Sequence, residues 1–343
     1  SLKKHLYPIL YRSDTLKTRL EYTKIIKQHL KSFSDNPCIM RKSGKLVLVN
    51  NDNQLMSFDK QIGSKSQNGV AFMNSGSGLS KVLKFSTKLM RSTDEKNQLE
   101  VKVLKAMSHM AEKKKCPNMP IVYDILECKN ACKYDECPKL TKKGSYYVIL
   151  NELANYDMFE WLKRKHTRVE IQSVIMQMIL SIYALHGLGY IHNDAHLGNF
   201  LVHETKSKSG YWRYNVNGNE IYVPNTGYQV VLWDPGLATP MTPDNRYMRD
   251  YELLLTFLSL INTSNFSEEF EGTKKINDDI IVEIDELLTF VTKEYSNIYS
   301  KVTKESFMNE MIKMIKKGDV DFPDVYVSKK PNSQILNAKA FRF

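Results

Sequence analysis

The chain lacks any apolar run long enough to cross a bilayer. Its longest such stretch, Val174 to Leu185, is broken by Gln177 and Ser181 and falls short of the roughly 20 residues a span needs, so no membrane span is expected. The opening residues, SLKKHLYPIL, hold too little continuous hydrophobicity for a secretory signal. Cysteine is scarce: five in 343 residues, an odd count. That argues against a disulfide framework and for a reducing, intracellular and cytoplasmic compartment. With 15 Gly and 11 Pro, collagen-like and low-complexity classes are also excluded. What is present is an ordinary globular composition, 42% hydrophobic and 25% charged, with a formal net charge of +11. The excess of cations suggests phosphate-bearing or acidic partners. No motif of interleaved aromatic and basic residues points to nucleic acid.

Periodicity divides the chain into a small β-rich part and a larger helical part. Residues 13–33 place Leu16, Leu20, Ile25, Ile26 and Leu30 at helical spacing behind capping candidates Ser13 and Asp14. Short strand-like runs follow at 46–50 and 54–58, then a glycine-punctuated stretch from Ile62 to Phe72, and a run at 81–85 that reads as a second strand. Residues 94–109 read as a helix and 146–150 as a buried strand. Helices are expected at 168–188, 250–262, 277–300 and 303–317, the first strongly amphipathic.

Two polar constellations, each attached to an apolar strand, carry the chemistry. The first is His192-Asn193-Asp194-Ala195-His196-Leu197-Gly198-Asn199, running into Phe200-Leu201-Val202. The second, Asp234-Pro235-Gly236, ends the strand Val230-Val231-Leu232, and Asp234 lies 35 residues beyond Asn199. Two carboxylates and an amide on such a scaffold suit phosphoryl transfer: one carboxylate can orient or deprotonate a hydroxyl while the other groups hold magnesium on the phosphates.

These segments resemble the protein-kinase-like fold, whose catalytic-loop signature is H-R-D-x-x-x-x-N and whose metal motif is D-F-G. His192, Asp194 and Asn199 match the first; Asp234 and Gly236 match the second. The resemblance covers about residues 55–265. It implies an α+β, bilobal fold with a small β-rich N-lobe at 56–152 and a larger helical C-lobe at 153–343, after an N-terminal helical extension at 1–55. It also implies roles. Lys84 in VLK matches the phosphate-binding lysine and Glu100 its helix partner. Ile62, Gly63, Ser66, Gly69 and Val70 form the turn over the phosphates. Leu150, Asn151, Glu152 and Leu153 form the hinge beside the base, with Leu150 or Asn151 as gatekeeper. Asp194 accepts the substrate proton, and Asn199 and Asp234 bind Mg2+. The partners so implied are ATP and a protein substrate, which the basic balance suggests is acidic.

The departures bear on substrate and control. Asn193 replaces the loop arginine that receives an activating phosphate, and Pro235 replaces the aromatic of D-F-G. Only sixteen residues separate Asp234 from Asp250, which resembles the aspartate opening the central C-lobe helix, and no A-P-E motif intervenes. His196 gives D-x-H-x-x-N, as in haspin-type kinases and in phosphotransferases of aminoglycosides and choline. An insertion at 203–229, with strand-like runs around Asn217-Gly218, reads as an extra hairpin that either packs on the lobe or docks substrate. With the D-x-H-x-x-N form it resembles divergent kinases of large DNA viruses, for which the compartment would be a host cytoplasm. The expectation is a serine/threonine kinase, with a small-molecule phosphotransferase and a pseudokinase scaffold as alternatives. Cys116, Cys128, Cys132 and Cys137 have spacers unlike paired zinc ligands and are expected to be unpaired thiols, with zinc the alternative. Lys113–Lys115 reads as a solvated helix end.

Overall fold

The computed structural model describes residues 15–30, 38–42, 45–50, 53–66, 69–75, 85–131, 144–205, 207–242, 247–261, 276, 278–296 and 302–343. The chain forms two compact units. One comprises Leu16–His109 and Pro120–Leu153, the other Met110–Met119 and Ala154–Phe343. The first is β-rich and the second largely helical, the α+β make-up of a bilobal kinase-like fold.

The first unit is built on one antiparallel sheet of seven strands: β1 (Cys38–Lys42), β2 (Lys45–Asn50), β3 (Asn53–Ser66), β4 (Gly69–Ser75), β5 (Phe85–Arg91), β6 (Val122–Ala131) and β7 (Gly144–Glu152). Their order is β1-β2-β3-β4-β5-β7-β6. Helix α1 (Thr15–Leu30) and most of α2 (Glu95–Glu112) belong to the same unit. Among the described residues, those from Leu16 to Gln54 belong to this unit, and β1 and β2 continue the ladder through β3. Of the strand expected at 81–85, residues 81–84 lie outside the described residues, and Phe85 begins β5.

Cys38 and Cys128 are disulfide-bonded across 90 residues, with Cα atoms 4.7 Å apart, inside the range a disulfide requires. This corrects the expectation of unpaired thiols and removes Cys128 from the zinc alternative. The reason is topological: β1 and β6 are the two ends of the strand order, and the bond joins them. Cys116 is buried and in no disulfide, while Cys132 and Cys137 lie outside the described residues. Among the described residues no group of three metal-ligating side chains occurs.

The second unit is organised around α4 (Arg168–Gly187), started by a capping box between Thr167 and Glu170. All residues from Ile171 to His186 are buried, so this stretch is buried on every side and has no solvent-facing polar face, unlike the amphipathic helix expected. Alone among the described helices it has the length and hydropathy of a membrane span, but 89% of the apolar window is buried inside the protein. The polar residues that interrupt it have internal partners. Gln177 accepts from the Val230 N–H and donates to the Tyr228 carbonyl, and Ser181 bonds the Met178 carbonyl.

Strand β8 (Tyr156–Asp157) and helix α3 (Met158–Leu162) precede α4. Strand β9 (Tyr190–Ile191) follows it, then β10 (Phe200–Glu204), the hairpin β11 (Tyr211–Val216) and β12 (Asn219–Pro224), β13 (Tyr228–Leu232) and β14 (Thr239–Pro240). Helices α5 (Met248–Leu260), α6 (Asp278–Ser296) and α7 (Lys304–Lys317) complete the unit with β15 (Tyr326–Val327) and β16 (Phe341–Arg342). Asn217 and Gly218, at φ 51° and 84°, make the two-residue turn with both central φ positive that suits a hairpin's twist. The inserted hairpin packs inward: Trp212, Tyr214, Val216 and Ile221 to Val223 are buried. Strands β15 and β16 cover its edges, and the Asn337 side chain bonds both the N–H and the carbonyl of Arg213. The packing alternative therefore describes the hairpin, and the C-terminal residues dock on it.

Candidate active site

In the β-rich unit the side chain that meets Glu100 is Lys88. Its Nζ lies 2.5 Å from Glu100 Oε1, and the two side chains are 5% and 1% exposed. Lys84, four residues earlier, lies outside the described residues. Lys88 stands in the middle of β5 and Glu100 in α2. The cross-strand partner of Lys88 on β7 is Ile149, and that of Ser86 is Asn151. Directly opposed residues share a face of the sheet, so Ile149 and Asn151 lie on the Lys88 face. Leu150, opposite Thr87, lies on the other.

The Asn151 side chain is fully buried. Glu152 ends β7, and its carboxylate is occupied by Arg19 and by the Ile121 N–H. Ile62, Gly63, Ser66, Gly69 and Val70 fall on the long hairpin β3–β4, where Ser66 pairs with Gly69 across its tip and Ile62 with Ala71. Val70 pairs with Leu89 of β5. Leu153 closes the unit.

In the helical unit the polar side chains of residues 192–199 lie close together. Asn199 donates from Nδ2 to the Asp194 carbonyl at 2.7 Å and to Asp194 Oδ2 at 3.0 Å. These bonds commit the amide nitrogen and turn it toward Asp194. The amide oxygen, a hard donor of the kind magnesium takes, is the remaining polar atom. The Trp233 N–H donates to the Asn199 carbonyl at 2.8 Å, and Phe200 pairs with Leu232, so Asp234 begins immediately beyond Asn199. Asp234 adopts φ 51°, a left-handed conformation uncommon for a residue other than glycine.

His196 Nδ1 accepts from the Gly198 N–H at 3.0 Å, which leaves the proton of a neutral imidazole on Nε2. That nitrogen lies 3.6 Å from Asp194 Oδ2. The close turn requires glycine: a Cβ at Gly198 would come within 2.8 Å of His196 Cε1 and 3.2 Å of Phe159.

Asp250, fully buried at the start of α5, holds the loop from behind. Its Oδ1 accepts from the Asn193 N–H and its Oδ2 from the His192 N–H, each at 2.8 Å. Oδ2 also meets His186 Nε2 at 2.9 Å. His192 Nε2 bonds the Trp233 carbonyl at 2.8 Å, tying the loop to the Asp234 segment. Asn193, itself at φ 63°, donates from its side chain to the Leu237 carbonyl and Thr239 Oγ1. Thr239 pairs with Ile191. The position that would receive an activating phosphate is thus occupied by an amide that pins the short segment directly.

Strand β13 is placed by buried amides. Asn118 donates to the Val230 carbonyl and to Gln177, accepts from the Tyr214 hydroxyl, and accepts the Leu232 N–H on its own carbonyl. Sequence reading missed Lys88, His186 and Asn118. For Lys88 a signal existed, since FSTKLMR ends just before the turn leading to the helix that carries Glu100.

No protein-family model matches the chain. It is similar to proteins of large DNA viruses. It is 27% identical over 147 residues to the "Putative serine/threonine-protein kinase 019R" of Frog virus 3, covering 42% of this chain and 17% of that protein. It is 28% identical over 145 residues to the "Probable serine/threonine-protein kinase 380R" of Invertebrate iridescent virus 6, 40% of this chain and 26% of that one. A third relative, the "Putative serine/threonine-protein kinase R400" of Acanthamoeba polyphaga mimivirus, is 24% identical over 102 residues, 27% of this chain and 22% of that protein. The matches therefore span about a quarter or less of each relative's length, and they support a kinase-like protein.

Proposed function

We propose that this chain is an ATP- and Mg2+-dependent kinase that phosphorylates serine or threonine hydroxyls of a protein substrate. The observation that carries the reading is the Asp194–Asn199 pair. A carboxylate is aimed by an amide on a loop that buried Asp250 anchors, and Asp234 follows at once through the Trp233–Asn199 bond.

Asp194 orients the acceptor hydroxyl and takes its proton. Asn199 Oδ1 and the Asp234 carboxylate are oxygen donors of the type and number magnesium uses when phosphates and water complete its shell; bound there, the ion would neutralise charge developing on the phosphates. Lys88, oriented by Glu100, holds the nucleotide phosphates, and the β3–β4 hairpin covers them. The end of β7, Asn151 to Leu153, presents its backbone to the base. His196 Nε2–H donates toward the transferring group. Catalysis rests on positioning and electrostatics with no covalent enzyme intermediate.

The names of the viral relatives favour a protein acceptor over a small one. The test is transfer of label from ATP to a mixed protein extract: it should require Mg2+ and vanish in Asp194→Ala. Equal labelling by that variant, or turnover only with aminoglycosides, choline or sugars, overturns the assignment.

A further inference from the structure

Arg19 lies outside every motif of the kinase reading, yet it is buried and paired through two hydrogen bonds with Glu152. Leu16, Arg19, Thr23 and Ile26 form one stripe of α1 at three- and four-residue spacing, and all four are buried. Arg19 donates from Nε to Glu152 Oε2 at 2.7 Å and from Nη2 to Oε1 at 2.6 Å. Both side chains are below one-tenth exposure. Burying two charges is costly unless the geometry is close to ideal and the remaining hydrogen-bonding groups are met. The forked, two-bond arrangement meets the first condition.

The second is met as well. Glu152 Oε1 also accepts from the Ile121 N–H at 2.8 Å. The Glu152 N–H donates to the Ile121 carbonyl at 3.2 Å, and its carbonyl accepts from Ser86 Oγ at 3.3 Å. Every polar group of Glu152 is thereby tied to α1, to β5 or to the residue before β6. The surroundings are poorly solvated. Burial pushes the Tyr22 phenol up to about 12. The Tyr123 phenol is pushed up first by burial and then by the Glu152 carboxylate, with Arg19 pulling the other way. In such surroundings the ion pair is stronger than at a surface.

We infer that Arg19 is a positioning residue for nucleoside triphosphate binding. Its pair with Glu152 fixes the backbone at the end of β7, so α1 is a working part of the nucleotide site and not an appendage. The inference rests on the kinase reading, which assigns that backbone to the base.

The test compares wild type, Arg19→Met, Arg19→Lys and the paired variant Arg19→Met with Glu152→Gln, all in the full chain. The paired variant leaves no uncompensated charge and keeps an acceptor for Ile121, so it reports even if Arg19→Met fails to fold. Affinity for a non-hydrolysable Mg-ATP analogue and KM for ATP are measured beside amide hydrogen exchange. Arg19→Met, or the paired variant in its place, should weaken nucleotide binding by about tenfold. Arg19→Met should leave kcat at saturating ATP close to wild type and speed exchange at Ile121 and Glu152, and the paired variant should speed exchange at Ile121. Arg19→Lys, a point charge without the fork, should recover part of the affinity. A folded variant that binds nucleotide as wild type does overturns the positioning role, even if its melting temperature falls. A wild-type chain that binds no Mg-ATP overturns the kinase reading itself, and the nucleotide role of Arg19 with it, a result told apart by needing no variant.

Discussion

In the β-rich unit the buried carboxylates of Glu100 and Glu152 are each met by a cation, Lys88 and Arg19. In the helical unit the most buried carboxylate, Asp250, is met by two backbone N–H groups and an imidazole, and Asp194 by an amide side chain. The difference follows from what each carboxylate positions. Glu100 and Glu152 link separate secondary-structure elements, α2 to β5 and α1 to β7, where a long cation can bridge the gap. Asp250 shapes a loop, and a loop's own N–H groups are the donors that must be satisfied when it is buried. Charge pairing should therefore dominate mutational effects in the first unit, and acceptor geometry in the second.

The largest effect should come from Lys88. Lys88→Met removes the cation proposed to hold the phosphates and its ion pair with Glu100, and should lower phosphoryl transfer about 10³-fold, whereas Lys84→Met should stay close to wild type. Steady-state kinetics of both variants decide which lysine serves; a severe Lys84→Met defect beside a mild Lys88→Met one would undo the assignment.

Asp250 probes the contrast directly. Asp250→Ala leaves the His192 and Asn193 N–H groups unpaired and should cost about 3 kcal/mol in denaturant unfolding. If Asp250 acts as an acceptor and not as a counter-charge, Asp250→Asn should be nearly as damaging, because its NH2 turns toward a donor. A neutral asparagine that restores full stability would erase the distinction between the units.

Gly198→Ala tests the turn that aims His196. With a Cβ only 2.8 Å from the ring, the variant should lose about 2 kcal/mol or displace the imidazole. Paired measurements of melting temperature and kcat separate these outcomes.

The smallest effect concerns His166, stacked on Trp161 with centroids 3.5 Å apart. Burial holds its pKa below the ordinary 6.5, outweighing the Trp161 carbonyl and Glu170. Below pH 6.5 the unfolded chain takes up a proton that the folded chain resists. Stability should fall as pH drops from 6.5 to the folded pKa, then level off. His166→Phe should flatten that part of a stability–pH curve; an unchanged slope would assign the acid sensitivity elsewhere.

Legibility in the sequence followed the range of the interaction. The hairpin around Asn217-Gly218, α4, α7 and the Asp194–Asn199 loop rest on contacts within a few residues, and their spacing announced them. The β3–β4 hairpin was legible only as a short strand at 54–58 and a turn, because strand length depends on what lies alongside. Helix α4 read as amphipathic because Gln177 and Ser181 look like a polar face until β13 and a backbone carbonyl are brought against them. Strand β6 was not anticipated, since VYDILECKNA lacks clean alternation and is stabilised by pairing with β7.

The sequence by itself determined that this chain carries a kinase-like constellation, because Asp194, Asn199 and Asp234 stand at set spacings on loops next to apolar strands. Only the tertiary structure decided that Lys88 meets Glu100, that Cys38 bonds Cys128, and that Arg19 is spent on Glu152. Those pairs span 12, 90 and 133 residues, and strand register and helix docking, not local pattern, choose the partner.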